Sequence, residues 1–69
     1  MDATMERNYI KDNCNRILGW YIDGGNVVTG FDHLGKLKGT YNKKFNTTLD
    51  VCGRVVARGN TLVVQILKP

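Results

Sequence analysis

The pattern Asp-x-x-[Gly/Asn]-[Lys/Arg]-apolar-x-[Gly/Ala] runs through this chain three times, starting at Asp12, Asp32 and Asp50. The second and third copies, "DHLGKLKGTYN" and "DVCGRVVARGN", align at a shift of eighteen residues, which pairs Phe31 with Leu49, Gly35 with Gly53, Lys36 with Arg54 and Leu37 with Val55. A shift of twenty finds the first copy, where Asn15, Arg16, Ile17 and Gly19 fill the same slots. Each residue type has a backbone reason to be there. An Asp opening a type I turn accepts hydrogen bonds from nearby backbone N–H groups, and a Gly three residues later takes positive φ and closes a three-residue hairpin loop. Asn is the best non-glycine occupant of that left-handed position. The unit is therefore a β-hairpin, and its repetition predicts a chain built of hairpins.

Period-two patterning between turn residues predicts strands over 9–12, 16–22, 26–32, 36–41, 47–50, 54–58 and 61–67. The looser connections are "DGGN" at 23–26, "NKKFN" at 42–46 and "RGNT" at 58–61, the last with a Gly59-Asn60 pair suited to a primed two-residue turn. Residues 1–8 are expected to be a flexible segment and 9–69 a single domain. The predicted fold class is all-β, a small antiparallel barrel or a flower-like arrangement of repeated hairpins. Either would cover the sheet edges that an open meander exposes. So small an interior holds little besides side chains, and no deep ligand cavity is expected.

Hairpins of this type, at this spacing over 9–67, resemble the small bacterial β-flower proteins, in which hairpin petals surround a central axis. The resemblance implies a fold and no catalytic residues.

A chain of 69 residues buries only roughly 60% of the surface its unfolded form exposes. Association with a second copy or another partner is the expected source of further burial. Residues 1–7 form neither a secretory nor a transit signal, and no apolar run approaches the ~20 residues that span a bilayer, so a soluble, cytoplasmic protein with no membrane partner is expected. In that setting Cys14 and Cys52 read as reduced thiols. They share a repeat slot with Leu34, which predicts a common apolar position, Cys acting there as a small hydrophobe. The competing reading, a zinc site of Cys14, Cys52 and His33, lacks a fourth ligand and a ligand-spacing signature.

Three Asp and Lys/Arg pairs four residues apart are what a repeated turn produces, whereas acid–base catalysis needs carboxylates whose environments differ. His33 is the only histidine, there is no serine, and no glycine-rich phosphate loop precedes a helix. No enzymatic activity, cofactor or metal is expected. The function expected is a non-enzymatic binding module acting on another protein, of the kind found among phage and mobile-element inhibitors. The alternative is a nucleic-acid-binding small β-barrel, suggested by a net charge of +4 and by basic residues interleaved with aromatics. Candidate contact residues are Lys38, Lys43, Lys44, Phe45 and Arg58, with Trp20 as an aromatic anchor or core plug.

Overall fold

The computed structural model describes residues 6–68. Six antiparallel strands, β1 (Arg7–Lys11), β2 (Ile17–Asp23), β3 (Val27–Asp32), β4 (Leu37–Asn42), β5 (Thr47–Leu49) and β6 (Val55–Arg58), pair in chain order, and a short helix α1 (Leu62–Leu67) follows. The fold is all-β. Its sheet is open, with β1 and β6 as edges, so no barrel closes among the described residues. Of the expected flexible segment, residues 1–5 lie outside the described residues, while Arg7 and Asn8 belong to β1.

All three repeat turns share one hydrogen-bond scheme. In the middle copy the Asp32 carboxylate accepts from the Leu34 and Lys36 N–H groups, both at 2.9 Å, while Gly35 N–H donates to the Asp32 carbonyl at 3.0 Å. Asp12 and Asp50 hold their turns in the same way. The closing residues have φ of 64° at Asn15, 84° at Gly35 and 85° at Gly53, the left-handed conformation their residue types favour. The repeat carries a second irregularity. Gly19, Gly39 and Ala57 pair in register, as do Ile17, Leu37 and Val55, which leaves Leu18, Lys38 and Val56 between them without cross-strand partners. These three residues occupy one slot of the repeat, and a bulge there bends the strand and strengthens its twist.

The last expected strand, 61–67, is instead the helix α1. Gly59 and Asn60 accordingly start no hairpin: Gly59 N–H donates to the Asn46 carbonyl, and Asn60 Oδ1 accepts from Leu62 N–H at the entrance of α1. The reason lies across β2, β3 and β4, where Gly19, Gly30 and Gly39 leave a strip of sheet without side chains. A Cβ on Gly19 would stand 2.5 Å from Ile66 Cγ2, and one on Gly30 would stand 2.7 Å from Ile66 Cγ1. Leu62 and Ile66, one helical turn apart, settle on this floor, whereas an extended segment would send alternate apolar residues away from it. Burying such a side chain is worth about 1.5–3 kcal/mol, and a six-residue helix has no stability without that contact.

The core is thin. Val28, Leu62 and Ile66 are the buried hydrophobic residues among those described, with Ile10, Tyr21 and Tyr41 packed against them. Thr48 is fully buried beside them, its hydroxyl donating to the Gly59 carbonyl at 2.7 Å and accepting Thr61 N–H at 3.0 Å, which fixes the passage from β6 into α1. At the other end of the helix Lys38 Nζ donates to the Lys68 carbonyl at 2.8 Å, a cation at the negative end of the helix dipole.

Candidate functional site

Residues directly opposite each other on paired strands share a face, so the register separates the two sides of the sheet. One side, with Val28 and the glycine floor, is covered by α1. No element of the described residues covers the other. Along it runs a row of Tyr9, Trp20, Phe31 and Leu37, and beside this a row of Ile22, Thr29, Thr40, Leu49 and Val55. Tyr9 is 47%, Leu37 42% and Val55 59% exposed, a degree of exposure that is uncommon for several large apolar residues on one contiguous surface.

The aromatics stand against one another. Tyr9 and Trp20 meet edge to face at 6.1 Å, Trp20 and Phe31 stack at 5.9 Å, and the Arg7 guanidinium lies 4.6 Å over the Trp20 ring. The Trp20 ring is thus flanked by Phe31 and Arg7, and its six-membered edge lies toward the Gly35 turn. The charged strand residues on this side are cations at its margin: Arg7 and Lys11 on β1, and Arg58 on β6. The strand carboxylates Asp23 and Asp32 pair in register with Val28 and Gly19 and lie on the helix side.

The six residues singled out from the sequence do not form one patch. Trp20 and Arg58 lie on the open side. Lys38 is on the helix side, engaged with the Lys68 carbonyl. Lys43 is paired with Asp23 at 2.7 Å, and this hydrogen bond, helped by the Gly25 N–H, holds the Asp23 carboxyl below the usual range. Phe45 is 67% exposed at the tip of the β4–β5 loop, with the Lys44 ammonium 5.6 Å from its ring. Tyr9, Leu37, Leu49 and Val55 also lie on the open side and are not among those six. The repeat alignment carried the signal, since it puts Leu37 with Val55 and Phe31 with Leu49, and residues in one slot of a repeated hairpin fall on one face.

The apolar slot expected for Cys14, Leu34 and Cys52 is not buried. These residues occupy hairpin tips, with both cysteines exposed and Leu34 79% exposed, because the slot lies within the loop that projects beyond the sheet. No group of three His, Cys, Asp or Glu side chains among the described residues could hold a metal ion. No helix of the described residues is long and apolar enough to cross a membrane. The recesses are open and all border α1; the one lined by Tyr21, Asp23, Lys43 and Leu62 measures about 290 Å³. No family model, curated protein or solved structure matches the chain.

Proposed function

We propose that this chain is a non-enzymatic protein-interaction module, a β-flower-like hairpin-repeat protein of the cytoplasm, which docks through the open side of its sheet onto a protein surface that presents apolar side chains. The observation that carries this reading is the apolar surface drawn from all six strands and covered by no described element. Such a surface, apolar at its centre and cationic at its margin, has the anatomy of a protein interface. An inhibitor role against a host complex, as in small phage proteins, is the finer form of this reading.

The test is a comparison of variants that share a fold, checked by circular dichroism. Leu37→Glu or Val55→Glu on the open side is expected to abolish retention of the protein's binding partner on an immobilised chain. Val64→Glu on the outer surface of α1 and Lys44→Glu at the loop tip are expected to leave it intact. Equal loss from all four variants would defeat the proposal.

Nucleic-acid binding is the second reading, supported by the cations Arg7, Lys11 and Arg58 on the side that carries the aromatics. Base stacking needs free ring faces, and those of Trp20 are taken by Phe31 and Arg7. A labelled oligonucleotide showing polarisation that falls steeply with salt would establish this reading instead.

A further inference from the structure

We infer that the surface meeting the open side is the same side of a second copy of this chain, two sheets packed face to face with their helices outward. The inference rests on the docking reading above and names its occupant. Three observations point to a second copy. The first is area: the molecule measures 34 × 34 × 18 Å, and the outline of a disc of that width, roughly 900 Å², sets an upper bound on one face that admits the ~800 Å² each partner gives a standard interface. The second is the one-sided core. Among the described residues the buried hydrophobic side chains, Val28, Leu62 and Ile66, all lie where α1 meets the sheet, and no described element covers the opposite side; two sheets at the usual ~10 Å separation would supply that layer to each other. The third is composition. The centre of the surface is aromatic and aliphatic, so it complements itself, and a two-fold axis through the Trp20, Phe31 and Leu37 region would enclose these residues in both copies.

The marginal cations fix the sign of the salt dependence. Arg7, Lys11 and Arg58 of one copy would face a rim of the same charge, so screening should tighten the dimer. A nucleic-acid complex would loosen under the same change.

The experiment is analytical ultracentrifugation of the full chain over a hundredfold concentration range, at about 0.1 M and about 1 M salt. A mass of two chains is expected, with a dissociation constant several-fold lower at the higher salt. Leu37→Glu should give a monomer, and Val64→Glu should remain dimeric. Trp20 is the only tryptophan, so its fluorescence reports on this surface in the unmodified protein. Dilution should make it more accessible to acrylamide, a readout that survives even if Leu37→Glu fails to fold. A monomer at every concentration and salt overturns the second copy while leaving the docking reading standing if Leu37→Glu still abolishes binding to another protein. A dimer broken by Val64→Glu and untouched by Leu37→Glu overturns both.

Discussion

Asp32 braces its turn with two N–H groups on one carboxylate, and the hydrogen bond from Lys36 N–H does most to hold its carboxyl below the usual range, with Leu34 N–H, His33 and Lys38 adding to the effect. A carboxyl depressed in the folded state contributes stability above its unfolded value and loses it as pH falls through the folded one. Asp32→Asn keeps an acceptor oxygen and removes the charge. It should therefore lower the urea midpoint at pH 7, with the deficit against the wild type shrinking below about pH 4. At the glycine floor the neighbours decide the outcome. In Gly30→Ala the three atoms nearest the new methyl are side-chain carbons, Ile66 Cγ1 and Cδ1 and Leu62 Cδ1, at 2.7, 2.8 and 3.0 Å. It should cost about 1–3 kcal/mol by urea titration, partly recovered by Ile66→Val. A methyl at Gly19 would also lie 2.5 Å from the Phe31 carbonyl, which is backbone and cannot turn aside, so Gly19→Ala should cost more and resist that rescue. At the hairpin tips, Cys14 and Cys52 are both exposed, and a chromogenic disulfide reagent should titrate two thiols without denaturant. A single reactive thiol would restore the buried slot for one of them.

The helix α1 is the element on which the two sides of the sheet depend. Ile66→Ala should cost about 2–5 kcal/mol because Ile66 is 2% exposed on the glycine floor, while Val64→Ala, at a side chain 59% exposed, should stay within about 0.5 kcal/mol in the same urea titration. Thr48→Val removes the hydroxyl that joins Gly59 to Thr61 and leaves a part-buried carbonyl and N–H without that partner, a loss of about 1–3 kcal/mol. The strands and hairpins were legible in the sequence because their cause is local: Asp with Gly or Asn three residues on specifies a turn whatever surrounds it. The helix was not legible. Its residues, "LVVQIL", are rich in β-branched side chains that favour strands, and what makes them helical is a floor formed by Gly19, Gly30 and Gly39 from three strands. Gly30 falls outside the repeat unit, so no pattern drew attention to it. The open side was half legible, since alternation gave its residues and only the position of α1 decides which side stays uncovered.

For the molecule as a whole, stability and association are one question. A sheet that the described elements cover on one side, with three buried hydrophobic residues among those described, is poorly supplied against the roughly 1–2 kcal/mol per residue that ordering the backbone costs. If the uncovered side is closed by a second copy, part of the folding free energy is association free energy, and it must rise with concentration. A hundredfold increase shifts a dimerisation equilibrium by about 2.7 kcal/mol per dimer, half of it per chain. For a domain of this size that corresponds to a rise in melting temperature of about 5–10 °C. Differential scanning calorimetry of the wild type across that range should show the rise, and at each concentration the transition should lie higher at high salt, where the cationic rims are screened. Leu37→Glu, confined to the monomer, should melt lower and at a temperature independent of concentration. A wild-type transition that stays fixed over the whole range would mean that α1 and the glycine floor hold the sheet unaided, and the open side would then have to be explained by a partner of another kind.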